Sequence, residues 1–111
     1  MTRTMGLAPD LATFERLLKS HFQLRLDEAA SVEIELVEVR REGSASGWEA
    51  FSLLFEAPAG APAEQRMYEV DHEATGAGFE LFLVPIGRTD GGGLRYQAVF
   101  NRRVDNTVGG D

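Results

Sequence analysis

The most strand-like pattern of hydrophobic and polar residues lies in two stretches of the chain, residues 79 to 84 and residues 94 to 100, which are predominantly apolar. Both stretches are rich in aromatic, β-branched and leucine residues and are bounded by Gly, Pro or Asn, which is typical of β-strands. The Gly-rich connection from 87 to 93 is too short for the crossover that parallel strands require. The pattern therefore predicts an antiparallel hairpin at the centre of the core.

The hairpin has two faces, because successive residues of a strand point to opposite sides of the sheet. The face predicted to be buried consists of Phe79, Leu81, Leu83, Tyr96, Ala98 and Phe100. The other face is polar at its ends and apolar in its middle, where Phe82, Val84 and Val99 lie. A cross-strand apolar group needs a cover, and three covers are considered: the N-terminal helix, a second copy of the chain, or a partner protein. We take these three residues as a candidate interface.

Before the strands, the pattern has a helical period. An apolar stripe recurs at spacings of three and four residues, at Leu11, Phe14, Leu17 and Leu18. Asp10 is placed to cap the first turn, and the helix is predicted to extend over roughly three turns, to end near Ser20 and to close one mouth of the sheet. Residues 1–9 and 104–111 have no periodicity, which predicts flexible tails on either side of a single β-rich domain at 10–103.

Four further strands are predicted between the helix and the hairpin, around residues 22–26, 32–36, 49–56 and 65–71. The alternation slips by one position at Leu36 and Val37, and a β-bulge there restores a single inward face. The connections are short, so consecutive strands are expected to pair. The predicted fold class is mainly β (α+β): an N-terminal helix followed by a six-stranded antiparallel meander curled into a small barrel or roll.

Composition narrows the function classes. The 111 residues include no cysteine, which excludes disulfides, zinc–thiolate sites and cysteine nucleophiles. The net charge of −7 argues against nucleic-acid binding, because that affinity comes largely from neutralising phosphates. No apolar run approaches the ~20 residues of a membrane span, and residues 1–9 lack the apolar core of a signal peptide. We expect a cytoplasmic protein that binds neither nucleic acid nor membranes.

Candidate catalytic and metal-binding residues are few. His72 lies between Asp71 and Glu73, but neighbouring strand residues point to opposite faces, so we interpret this group as a solvated turn. A row of carboxylates at Glu33, Glu35 and Glu38 is interpreted as a solvated strand face rather than a cation site. The Gly-rich loop at 87–93 lacks the following helix and lysine of a phosphate-binding loop. We therefore expect no enzymatic activity, no metal and no cofactor.

Two other features have alternative interpretations. Trp48 is either a lid on the core, which we favour, or an exposed anchor for a partner. The arginine doublets at 40–41 and 102–103 are either surface charges at strand ends, which we favour, or anion-binding corners.

Four segments, FSLLF at 51–55, YEVDH at 68–72, LFLVPIG at 81–87 and YQAVFN at 96–101, resemble a family of small uncharacterised bacterial domains. The resemblance spans residues 11–101 and implies neither a catalytic motif nor a ligand. Members of that family are loosely associated with genes for phage-tail-like proteins, which implies an accessory or assembly role.

The leading hypothesis is a non-enzymatic structural or protein-interaction module that binds a protein partner or self-associates. The alternative is a small barrel that binds an apolar ligand, lined mainly by Phe51, Phe55, Tyr68, Leu81 and Phe100. We rank it second because a narrow barrel normally fills with its own side chains, whereas ligand cavities are usual at about eight or more strands.

Overall fold

The computed structural model describes residues 10–45 and 48–103. The described residues form one helix and six strands: α1 Leu11–Arg16, β1 His21–Arg25, β2 Ser31–Ala45, β3 Trp48–Ala57, β4 Arg66–His72, β5 Gly78–Arg88 and β6 Leu94–Arg103. The tails predicted at 1–9 and 104–111, and residues 46 and 47 of the predicted β2–β3 turn, lie outside the described residues.

All six strands pair antiparallel and close into a barrel in the order β1-β2-β3-β6-β5-β4. The mainly β fold class is confirmed, but the predicted meander is wrong at one junction. β3 pairs with β6, and β4 pairs with β1, so the chain forms two three-stranded meanders. The strands β3 and β4 lie on opposite sides of the ring, and the connection at 58–65 crosses one mouth of the barrel.

Two tyrosines hold this connection in place. The Tyr68 hydroxyl donates to the Glu64 carbonyl oxygen at 2.7 Å, and the Tyr96 hydroxyl donates to the Pro62 carbonyl oxygen at 2.5 Å. Both rings belong to the barrel interior, and their centroids lie 6.1 Å apart. These bonds satisfy main-chain groups of the connection and hold it across the mouth.

The predicted bulge is confirmed, because the register between β2 and β3 shifts between Leu36 and Glu38. Two further irregularities, between Arg41 and Gly43 and between Pro85 and Gly87, were not predicted. Bulges increase local twist and bend a strand, which a narrow closed sheet requires.

The helix is capped as predicted but shorter. The Thr13 N–H donates to Asp10 Oδ1 at 3.0 Å, and the helix ends at Arg16 rather than near residue 20. The cause is Lys19, which has a φ of 73° and donates its N–H to the Leu36 carbonyl oxygen at 2.7 Å. This bond turns the chain into β1 before a third helical turn can form.

The predicted inward face of the hairpin is confirmed, with one correction. Its buried members are Phe79, Leu81, Leu83, Tyr96 and Ala98. Phe100 is only partly buried, because it lies near the mouth that α1 covers, where it stacks on Phe51 with 4.6 Å between ring centroids. Phe14 of the helix is fully buried and its ring lies 5.7 Å from Phe79 and 5.8 Å from Phe100. The helix therefore plugs this mouth.

Candidate interaction surface

The outer face of the sheet carries an apolar strip, which consists of Met67 on β4, Phe82 and Val84 on β5, and Val99 on β6. Met67 and Phe82 are cross-strand partners, while Val84 is opposite Gln97, which shares its face with Val99. The exposed fractions of Met67, Phe82 and Val99 are 53%, 48% and 67%, and Val84 is half-buried. The predicted interface residues therefore share one outer face, and α1 leaves that face open.

The strip arises because β5 is apolar on both sides. Leu81 and Leu83 point into the barrel and are buried, so Phe82 between them must point outward. A single exposed apolar residue is ordinary on a protein surface. A group that crosses three strands is less ordinary, because contiguous exposed apolar patches commonly mark sites of interaction. Met67 is the member that the sequence interpretation missed, since its partner on the neighbouring strand was unknown.

An acidic groove of about 340 Å³ adjoins the strip, and Met67 belongs to both. Its charged lining consists of four carboxylates and two guanidinium groups: Asp27, Glu28, Glu69, Glu80, Arg25 and Arg66. Glu69 and Glu80 are direct cross-strand partners, and like charges in that position destabilise a sheet. Arg25 offsets part of this repulsion, with its Nε 3.5 Å from Glu69 and its Nη2 3.4 Å from Asp71. The groove thus favours a positively charged group.

The predicted ligand-lining residues come together, but as a packed core. Phe51, Phe55, Tyr68 and Leu81 are each at most 2% exposed and belong to one continuous cluster, with Phe100 packed against it. Phe55 also meets the ring of Phe22 edge-on at 5.6 Å. Side chains from the strands therefore occupy the interior where the apolar-ligand hypothesis places a ligand.

This packed interior also changes the acidity of the two tyrosines. Burial raises the pKa of Tyr96 to about 12, and the nearby Tyr68 adds to that increase. Burial is also the main cause that raises the pKa of Tyr68, which the positive charge of Arg66 partly offsets.

The interpretation of His72 as part of a solvated turn is wrong. β4 extends to His72, whose side chain is 5% exposed because it follows the inward positions 68 and 70. Its Nε2 lies 3.1 Å from Ser20 Oγ, and its Nδ1 lies 2.9 Å from Thr75 Oγ1. Ser20 donates its hydroxyl hydrogen to the Leu17 carbonyl oxygen, so Ser20 Oγ accepts from Nε2–H and Nδ1 accepts from Thr75. His72 thus links the helix end, β1 and the β4–β5 turn.

The expected carboxylate row does not act as one group. The bulge after Leu36 separates Glu38 from the row, and Glu38 instead accepts from Arg40 Nη2 at 2.8 Å. Among the described residues, the group able to hold a metal ion is His21, Glu33 and Glu73, whose ligand atoms all lie within 4.8 Å of one another. Sequence reasoning missed this group, since the three residues lie far apart along the chain.

The remaining candidates lie on the surface. Arg41 pairs with Glu15 at 3.2 Å, so both arginines of the first doublet face carboxylates, which favours the surface-charge interpretation. The side chains of the second doublet, at 102–103, lie outside the described residues. Trp48 is 46% exposed and borders a groove of about 660 Å³ near the start of α1, so it is not the core lid that we favoured.

Comparison with known proteins gives one match. A family model described as Domain of unknown function (DUF6916) matches residues 9–100. Searches among curated proteins and among solved structures found no significant match. Within the described ranges 10–45 and 48–103, no helix has the length and apolar character needed to cross a membrane.

Proposed function

We propose that this chain, which belongs to the DUF6916 family of domains of unknown function, is a protein-interaction module that binds a partner protein through the apolar strip. The observation that carries the proposal is the exposure of Phe82, at 48%, together with that of its cross-strand partner Met67, at 53%, and of Val99 on the same outer face, at 67%. Large aromatic and methionine side chains are enriched in protein interfaces, and their burial by a partner is favourable at roughly 25 cal/mol per Å² of apolar area.

The charges around the strip favour a partner that presents an apolar patch with a basic margin. The acidic groove adjoins the strip at Met67, and a cation placed there would relieve the repulsion between Glu69 and Glu80. Self-association is less favoured, because two copies with a net charge of −7 each repel one another. The accessory or assembly role in a phage-tail-like system that the resemblance implies belongs to the same proposal, since such a role depends on binding other proteins.

The alternative, a barrel that binds an apolar ligand, stays second. Phe51, Phe55 and Tyr68 pack against one another and their neighbours in the barrel, so a ligand would have to displace them. Removing a large, well-packed side chain from its place in the core costs about 2 to 5 kcal/mol.

The proposal is tested with Phe82→Asp and a matched control, Leu18→Asp. Both substitutions introduce one negative charge at an exposed apolar residue, and Leu18, at 41% exposed, follows α1 away from the strip. The purified chain and both variants are immobilised and exposed to a lysate of the host. We expect the original chain and Leu18→Asp to retain the same protein, and Phe82→Asp to retain it at least tenfold more weakly, since the residues at the centre of an interface that dominate its affinity are each worth about 2 kcal/mol or more.

Two further measurements separate the remaining explanations. Circular dichroism should show that Phe82→Asp stays folded, because outward substitutions usually change stability by under ~0.5 kcal/mol. Unfolding of this variant would mean that the chain itself covers the strip, and equal retention by all three proteins would also contradict the proposal. Sedimentation velocity over a wide concentration range distinguishes a self-associating chain from one that binds a different protein.

A further inference from the structure

Three side chains with metal-binding atoms meet on the outside of the barrel, away from the apolar strip. His21 lies on β1, Glu33 lies on β2, and Glu73 directly follows β4. The register brings these strands together: Gln23 is opposite Glu33, and the Glu73 N–H donates to the His21 carbonyl oxygen at 3.1 Å. The ligand atoms of all three residues lie within 4.8 Å of one another.

The distances suit a small divalent ion. Zinc binds imidazole nitrogen and carboxylate oxygen at about 2.0–2.2 Å, so two ligand atoms on a tetrahedral ion are roughly 3.4 Å apart. His21 Nε2 and Glu33 Oε2 are already 3.6 Å apart. His21 and Glu33 are exposed, so small changes in their side-chain torsions can bring the ligand atoms closer to that of Glu73.

Neighbouring polar groups orient one of the carboxylates. Gln23 Nε2 donates to Glu73 Oε2, and Gln23 Oε1 in turn accepts from Ser31 Oγ at 2.8 Å. Hydrogen bonds of this kind commonly fix the ligands of metal sites. Glu73 is therefore held at two points: its main-chain N–H bonds to the His21 carbonyl oxygen, and its carboxylate bonds to the Gln23 side chain.

We propose that His21, Glu33 and Glu73 form a binding site for a divalent transition-metal ion of the Zn²⁺ class. One imidazole nitrogen and two carboxylates form a mixed donor set, which selects zinc and its neighbours over calcium and magnesium, since those prefer oxygen alone. The two carboxylates neutralise the ion, and the net charge of −7 favours its approach. Three protein ligands leave a fourth position for water.

The position of the site gives the ion a structural effect. The ladder between β1 and β4 closes the barrel and has three residue pairs, compared with ten between β3 and β6. An ion held by β2, β1 and the end of β4 would cross this short ladder and link the two meanders. Because only the folded chain brings the three ligands together, binding would raise the melting temperature.

The test uses the chain without a histidine tag, treated with a chelator and then titrated with ZnCl₂ in a calorimeter. We expect one ion per chain, and at least a tenfold loss of affinity in His21→Ala, Glu33→Gln and Glu73→Gln. Asp90→Asn removes the same charge from an exposed carboxylate outside both the site and the acidic groove and should leave the affinity within about twofold, because screening weakens distant charges. The melting temperature should rise with ZnCl₂ in the original chain and in Asp90→Asn only.

An NMR measurement locates the ion independently. The chain has two histidines, and both ring nitrogens of His72 are already hydrogen-bonded to hydroxyl groups. Zn²⁺ should therefore shift the ring resonances of His21 and leave those of His72 in place. The proposal is overturned by the absence of binding, by a shift at His72 instead, or by a His21→Ala variant that binds as tightly as the original chain.

Discussion

Because of Tyr96, the stability of the barrel should change with pH in the alkaline range. Its side chain is fully buried, its hydroxyl donates to the Pro62 carbonyl oxygen at 2.5 Å, and burial raises its pKa to about 12. The perturbation is the substitution Tyr96→Phe, and the free energy of unfolding of this variant is compared with that of the original chain over a series of pH values. Phenylalanine keeps the ring but removes both the hydrogen bond and the proton that titrates.

The magnitude follows from the difference in pKa. An unfolded tyrosine has a pKa of about 10, so the folded chain holds this proton more tightly by about two units, or ~3 kcal/mol. The folded-state pKa is the raised one, so this contribution to stability is complete below pH 10 and is lost as the pH rises through about 12. At neutral pH, Tyr96→Phe loses only the hydrogen bond to Pro62, worth about 1 kcal/mol.

The two effects predict a crossover. The original chain should be more stable than Tyr96→Phe by about 1 kcal/mol at pH 7. The difference should vanish at about pH 10.7, where the titration has cost the original chain about 1 kcal/mol, and should be reversed by about pH 11, where that cost is about 1.4 kcal/mol. Tyr68 titrates in both proteins and so cancels in the comparison to first order. Urea denaturation followed by far-ultraviolet circular dichroism measures the free energy of unfolding at each pH.

Absorbance provides a direct check, because the chain has only two tyrosines and Tyr68 also has a raised pKa. Tyrosinate absorbance of the folded chain should rise above pH 10, and Tyr96→Phe should remove the component of higher pKa. The reasoning is refuted if both tyrosines of the folded chain titrate near pH 10, or if the stability difference between the two proteins is the same at every pH.

Two substitutions with matched controls test the packing. Gly93→Ala should lower the free energy of unfolding in urea by about 1 to 3 kcal/mol, because its new Cβ would lie 2.1 Å from a main-chain oxygen of β3. Gly91→Ala meets no atom within 4 Å and should be neutral or slightly stabilising. Equal effects of the two substitutions would contradict this contact. Phe100→Ala should lower stability, measured in a thermal melt, by about 3 kcal/mol, the low end for a phenylalanine, because the ring is partly buried but stacks on Phe51 at 4.6 Å. Val99→Ala should lower stability by under ~0.5 kcal/mol, because Val99 is 67% exposed. A larger cost at Val99 than at Phe100 would mean that the two faces are reversed.

Local alternation was sufficient to predict the faces of the hairpin and the bulge after Leu36, because the two-residue period of a strand depends on neighbouring residues alone. Strand order was harder, since β3 and β4 carry similar patterns and nothing local shows that the 58–65 connection crosses the mouth. The same limit applies to the sites. Phe82 and Val99 were identified from their own strands, whereas Met67 and the group around His21 depend on registers that join distant segments.

The closed strand order has a consequence for how any partner is recognised. Within the described residues, the six strands form a ring without a terminal strand, so a partner can add a strand of its own through main-chain hydrogen bonds only where one strand extends past its neighbour. Main-chain pairing tolerates many partner sequences, whereas contact with an outer face depends on the side chains displayed there. A domain of this architecture can therefore change its partner by replacing a few outward residues, while the inward residues that hold the ring together stay as they are.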